Sequence, residues 1–137
     1  MRLLLDTCAL VALAEREPMR HEAVQAIRAA QSGGTIFMPA VIALEIAQKA
    51  AKGGFTLAAG RSARAWFEAA VRRARFRHLP VTANMALAAY ELPEPFHKDP
   101  ADRLIVAMGR LLKAPVVTID RRILAYGRQG HVQVLAY

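Results

Sequence analysis

Four acidic side chains stand where an α/β chain gathers its chemistry. Asp6 closes the apolar run Leu3-Leu4-Leu5, and Asp120 closes Val116-Val117-Thr118-Ile119. Glu45 lies in Ile42-Ala43-Leu44-Glu45-Ile46, and Asp102 in Asp99-Pro100-Ala101-Asp102-Arg103. The chain has only 11 acidic residues against 19 basic ones, so a set of carboxylates gathered at one edge points to a hard cation. An all-oxygen set without cysteine or histidine partners suits Mg²⁺ or Mn²⁺, not zinc. The single cysteine, Cys8, excludes an intrachain disulfide and a cysteine-based zinc site, and is expected to pack as a small apolar residue. None of the four histidines pairs at a helical ligand spacing; His97 is near the acids, but a lone loop histidine reads as a surface residue and not as a ligand.

The elements that must position these groups follow from hydrophobic periodicity. Residues 2–5 read as a first strand, 35–38 as a second, 76–81 as a third, 116–119 as a fourth and 132–135 as a last. Between them the patterning predicts helices over 8–16, 20–31, 39–52, 58–75, 82–92 and 99–113, and a short one from Arg121. Gly33-Gly34 and Gly53-Gly54 act as stops, and Pro93 to Lys98 is a loop. Strands alternating with helices imply an α/β fold: one domain over residues 1–137, with a central, mostly parallel sheet flanked by helices on both faces. Functional residues of such a sheet collect at the carboxyl ends of its strands.

Each acid also has an ordinary explanation. Asp6 and Asp120 can cap the helices that follow them. Asp99, with Pro100 behind it, is placed as an N-cap, and Asp102 as the acid three positions on. Glu45 and Lys49 have the spacing of a solvated ion pair. On this view the chain is a non-catalytic nucleic-acid-binding module whose acids are caps and ion pairs. A phosphate-accepting regulatory domain is a further alternative. It expects an acid pair after the first strand and a lysine near the last, and the sequence offers neither clearly.

Taken together, the segments Leu-Leu-Leu-Asp-Thr, Pro-Ala-Val-Ile-Ala-Leu-Glu-Ile, His-Lys-Asp-Pro-Ala-Asp-Arg-Leu-Ile-Val-Ala and Val-Val-Thr-Ile-Asp resemble the acidic motifs of PIN-domain ribonucleases. Size and motif order resemble the VapC toxins of type II toxin–antitoxin pairs. The resemblance implies a PIN-like nuclease domain and a metal-dependent endoribonuclease that cleaves RNA with a metal-activated water. It implies the acidic quartet Asp6, Glu45, Asp102 and Asp120 as catalytic residues. The metal would be held by Asp6, Asp102 and Asp120, with Asp99 as an auxiliary acid. Members of the subgroup often carry an aromatic residue where Ala101 stands, a departure that leaves the acids in place. Partners implied are RNA, a VapB-like antitoxin that inserts an arginine among the acids, and a second copy of the chain as a homodimer.

The remaining features bear on binding. The net charge of +8 and pI near 10.6 favour a polyanion partner. Arg103, Arg121 and Arg122 adjoin the acids and are candidates for positioning phosphate, with the Thr118 hydroxyl behind Asp120 as a supporting hydrogen-bond donor. Arg61, Arg64, Arg72 and Arg75 mark one face of the 58–75 helix, with Glu68 among them; Trp66, Phe67, Ala70 and Val71 mark the other. The basic face suits RNA phosphates or an acidic antitoxin segment. The N-terminus lacks the zones of a signal peptide and no apolar run reaches membrane length, so a cytoplasmic location and no membrane association are expected.

Overall fold

The computed structural model describes residues 1–53 and 60–137. The order is β1 (Arg2–Leu5), α1 (Thr7–Ala14), α2 (His21–Gly33), β2 (Thr35–Pro39), α3 (Ala40–Ala51), α4 (Ala63–Ala74), β3 (Arg77–Leu79), α5 (Ala83–Ala88), α6 (Pro100–Leu112), β4 (Val116–Thr118), α7 (Arg121–Arg128) and β5 (Val134–Ala136). The five strands pair in the order β3-β2-β1-β4-β5, and every neighbouring pair is parallel. The chain steps from β1 outward to β2 and β3, then returns to lay β4 on the other side of β1. The carboxyl ends of β1 and β4 therefore form the switch point where an open parallel sheet leaves a crevice.

The alternation of side chains along each strand explains the two cores. Leu4, Phe37 and Val116 face one layer, where Ile105, Val106, Met108, Ile123 and Tyr126 of α6 and α7 cover them. Leu3, Leu5, Ile36, Met38 and Val117 face the other, against Leu10, Ile27, Ile42, Ile46 and Trp66 of α1 to α4. A strand buried on both faces has no room for polar alternation, which is why β1 and β4 read as continuous apolar runs. The order of elements agrees with the sequence reading, but several ends move. Ser62 caps α4 by accepting from the Ala65 amide at 3.1 Å, so the helix starts at Ala63; the expected start at residue 58 lies outside the described residues. The helix capped by Thr82 stops at Ala88, and the last strand runs over 134–136.

One charged side chain fastens the loop beside the switch point. Arg103 on α6 is 3% exposed. Its Nε donates to the Ala89 carbonyl at 2.8 Å, one terminal nitrogen donates to the carbonyls of Phe96 and His97 at 3.2 Å each, and the other meets Glu94 at 2.8 Å. The guanidinium also lies over the Tyr90 ring, 4.9 Å from its centroid. This side chain is thus taken up inside the fold. The phosphate-positioning role expected for Arg103 is corrected to that of a brace for the 93–98 loop, because burial leaves its donors no access to a ligand. Tyr126 adds a second fastening, donating its hydroxyl to the Pro93 carbonyl and packing its ring, tilted, against Phe96 with centroids 4.4 Å apart. Removing the guanidinium strands the buried Ala89 carbonyl, at about 1–3 kcal/mol, and two part-buried carbonyls that water can reach, at less. Arg103→Met is expected to lower the unfolding free energy by about 2–4 kcal/mol in urea titrations, whereas exposed Arg121→Ala stays within about 0.5 kcal/mol. Equal, small effects would contradict the brace.

Candidate functional site

The acids meet at the crevice because of where each element ends. The Asp6 amide donates to the Val117 carbonyl at 3.3 Å, which ties the end of β1 to β4. Its side chain turns back to cap α1, accepting from the Ala9 amide at 2.7 Å, and is only 5% exposed. Asp120 stands two residues beyond β4 and caps α7, accepting from the amides of Arg122 at 2.8 Å and Ile123 at 3.1 Å. Thr118 is fully buried between them. Its hydroxyl oxygen accepts from the Asp120 amide at 2.9 Å, and its side chain also hydrogen-bonds Asp6. The donor role expected of Thr118 toward Asp120 is not what the structure shows: toward Asp120 the hydroxyl accepts from the backbone amide, and its side chain bonds Asp6. Asp99 caps α6 through the Asp102 amide at 3.0 Å and is itself exposed, while Asp102 is half-buried one turn into the helix. Glu45 does not pair with Lys49: among the described residues no ion pair joins them. The Glu45 carboxylate instead accepts from the hydroxyl of Thr7, the residue next to Asp6. That contact brings α3 to the same edge.

Electrostatics register the crowding. Burial pushes the Asp6 carboxyl up to about 6; hydrogen bonds from Thr118 and the Ala9 amide hold it down, and the charges of Asp120 and Glu45 raise it further. Burial pushes Asp102 up to about 7, helped by repulsion from Asp99, Asp120, Glu45 and Asp6. The two acids therefore feel one another and both Glu45 and Asp120. Four side chains from four segments share one field, while Asp99 adds to it from the rim.

Two expectations are corrected here. His97 is half-buried at the site and not a surface residue: its Nε2 lies 3.0 Å from Asp102 Oδ2, and its Nδ1 lies 3.2 Å from an Arg122 terminal nitrogen. Burial, then the nearby Arg122 charge, lowers the pKa of the ring. Cys8 is exposed and not packed, because α1 turns it away from the core that holds Ala9 and Leu10. Ligand atoms of His97, Asp102 and Asp120 all lie within 4.8 Å of one another, close enough to hold one ion. From the sequence His97 is placed near the site but read as a surface residue, and Thr7 is not singled out. The usable signal for His97 was its place five residues before Asp102, in a loop bounded by Pro93, Pro95 and Pro100 that has little freedom to swing away. Arg121 and Arg122 are exposed at the start of α7, beside Asp120, and Arg122 is engaged with His97. Arg64 and Arg72 on α4, and Arg61 and Arg75 at its two ends, are exposed and Arg64 meets Glu68 at 3.8 Å, while Trp66 is buried and donates to Glu15 at 2.8 Å. Among the described residues no helix is long and apolar enough to cross a membrane.

Comparison with known proteins places this architecture. Among curated proteins, none matches the chain in sequence. Among solved structures it is similar to VapBC2 from Rickettsia felis bound to a DNA fragment from its promoter, with a TM-score of 0.72 and 14% identity over 99% of this chain and 98% of that one. It is similar to FitAB bound to the IR36 DNA fragment, with a TM-score of 0.64 and 20% identity over 99% and 94%. A toxin–antitoxin complex from Klebsiella pneumoniae gives a TM-score of 0.59 and 18% identity over 88% and 89%. At such identities the likeness is one of fold. The model of the PIN domain family matches residues 3–129, nearly the whole chain, and on that match the chain belongs to the PIN domain family.

Proposed function

We propose that this chain is a metal-dependent endoribonuclease, the toxin of a toxin–antitoxin pair, acting on RNA in the cytoplasm and restrained by a VapB-like antitoxin. The observation that carries the reading is the convergence of Asp6, Glu45, Asp102 and Asp120 at the switch point of the sheet, in one another's field. PIN domains are generally nucleases, and the similar structures described above are toxin–antitoxin complexes.

The residues fit a divalent cation. Asp6 and Asp102 are carboxylates that burial and mutual repulsion hold well above their ordinary range, so a positive charge among them relieves a real cost. Asp6, Asp102 and Asp120 would hold Mg²⁺ or Mn²⁺, with Asp99 as an auxiliary acid at the rim. When bound, such a cation lowers the pKa of water and offsets charge on a phosphate. The chain's own contribution is orientation. Thr118 ties Asp6 to the segment that bears Asp120, and the cap bonds stop both carboxylates from rotating. Thr7 fixes Glu45 beside them. Arg121 and Arg122 offer exposed guanidinium groups for the RNA backbone. An antitoxin arginine set among the acids would satisfy the same charge deficit as the cation. Its flanks would lie along the basic face of α4. A homodimer is the assembly we propose.

The cap bonds of Asp6, Asp99 and Asp120 equally support a non-catalytic nucleic-acid-binding module, and the two readings part on substitution. Asparagine keeps a cap and loses a charge. Asp6→Asn and Asp102→Asn are expected to cut RNA cleavage by about 10²-fold or more, the scale of a lost metal-held nucleophile, while circular dichroism stays native. Asp99→Asn is expected to cost much less. Undiminished cleavage of RNA in excess chelator would overturn the metal-dependent reading.

The raised acids also make a stability prediction. A carboxyl whose folded pKa lies above its unfolded one favours the folded state only while protonated, so its share of stability is present at low pH and lost as pH rises through the window. For Asp102 that window runs from 3.8 to about 7, roughly three units at ~1.4 kcal/mol each as an upper bound. In chelator, Asp102→Asn is expected to be more stable than wild type by about 1–4 kcal/mol at pH 8 and to converge with it near pH 4 in urea titrations. A variant less stable than wild type at pH 8 would show that the carboxylate is not held at a cost.

A further inference from the structure

We infer that His97 is a nitrogen ligand of the cation held by Asp102 and Asp120, and that the site is therefore a mixed nitrogen–oxygen centre selecting Mn²⁺ over Mg²⁺. This deepens the metal reading above and rests on it. Three observations converge. A ring nitrogen of His97 and a carboxylate oxygen from each of Asp102 and Asp120 lie within 4.8 Å of one another, and Nε2 is the ring atom 3.0 Å from Asp102. His97 Nε2 is buried and makes no hydrogen bond among the described residues; its approach to Asp102 Oδ2 at 3.0 Å is an ion pair only when the ring is protonated. A buried ring nitrogen left without a partner is costly, and an ion between it and the two carboxylates would supply one.

The ring is also held in place, as a ligand must be. Phe96 packs against it, with centroids 4.6 Å apart and the rings tilted by 58°, and the buried Arg103 grips the carbonyls of both Phe96 and His97. Arg122 meets Nδ1 at 3.2 Å. A guanidinium only donates, so this contact draws the ring's proton to Nε2. Ligation through Nε2 needs the opposite tautomer, with the proton on Nδ1. Arg122 must then release the ring, and its exposed side chain is free to turn toward the solvent face where a phosphate would lie. Mg²⁺ prefers oxygen ligands and retained water, whereas imidazole binds the first-row transition ions, of which Mn²⁺ also accepts carboxylates. Exchanging one oxygen for His97 thus moves selectivity away from Mg²⁺.

The test is spectroscopic. Chelator-treated full-length protein is loaded with Mn²⁺ and examined by electron spin-echo modulation, alongside calorimetric titrations with Mn²⁺ and Mg²⁺ separately. Wild type is expected to show ¹⁴N coupling to Mn²⁺, and His97→Ala to lose it. His97→Ala should weaken Mn²⁺ by about tenfold or more, the order by which partners of a metal ligand set change affinity, and Mg²⁺ by less than about threefold. Wild-type Mn²⁺ without ¹⁴N coupling overturns the inference with no need of a variant, as does coupling that survives in His97→Ala. If Mn²⁺ binding in that case is still abolished by Asp102→Asn, the carboxylate site stands and only the histidine ligand is lost. If neither ion binds wild type, both readings fall together.

Discussion

The site, at a cost to the fold, depends on keeping like charges together. Asp6 is almost wholly buried at the end of β1, Asp102 is half-buried on α6, and each feels the other together with Glu45 and Asp120. Water would screen these charges if they were spread over the surface. Burial removes that screening and makes the gathering unfavourable unless something offsets it. Part of the offset is local: amides at the starts of α1 and α7, and the Thr118 side chain, bond to the carboxylates. Helix N-termini also carry partial positive charge, so acids placed there are held at less cost than elsewhere. The cap and the ligand are thus one arrangement. The bonds that stabilise the start of each helix also fix the direction of the carboxylate that faces the crevice.

A second constraint comes from the far side of the site. The loop from Pro93 to Lys98 contains no regular structure, yet it must present His97 to Asp102 at a set distance. Arg103 and Tyr126 hold it from beneath, with the guanidinium spanning the carbonyls of Ala89, Phe96 and His97. Arg103 follows Asp102 directly on α6, so neighbouring residues of one helix serve opposite ends of the crevice: Asp102 faces the acids and Arg103 anchors the loop. Glu94 completes the brace, and Arg103 in turn holds its carboxyl below the ordinary range. The basic character of the chain is carried mostly by exposed side chains such as those of α4 and Arg121, so Arg103 is set apart from them by burial and not by charge.

Much of this was legible in the sequence, for identifiable reasons. β1 and β4 are apolar on both faces, so an acid at the end of either stands out, and parallel topology sends both ends to one edge. Pro100 behind Asp99 marked the start of α6, where the cap is found. What was not legible depends on contacts between distant segments. Nothing local distinguishes Arg103, buried against a loop, from Arg121, exposed at a helix start; both follow an acid. Glu45 and Lys49 have the spacing of an ion pair, and only the approach of α1 supplies Thr7 as the partner that Glu45 bonds. Cys8 neighbours buried Thr7 and Ala9, but its direction is set by the pitch of α1. A lone histidine in a loop carries no periodicity; its place five residues before Asp102 hints at one Asp neighbour, and the fold adds Asp120.

The most direct measurement is a crystal of the protein soaked in Mn²⁺, with anomalous differences recorded at the manganese edge. The account predicts an anomalous peak bounded by the carboxylates of Asp6, Asp102 and Asp120, at the carboxyl ends of β1 and β4. A fully soaked crystal with no peak there, and those carboxylates bonded only to the helix amides they cap, would contradict it.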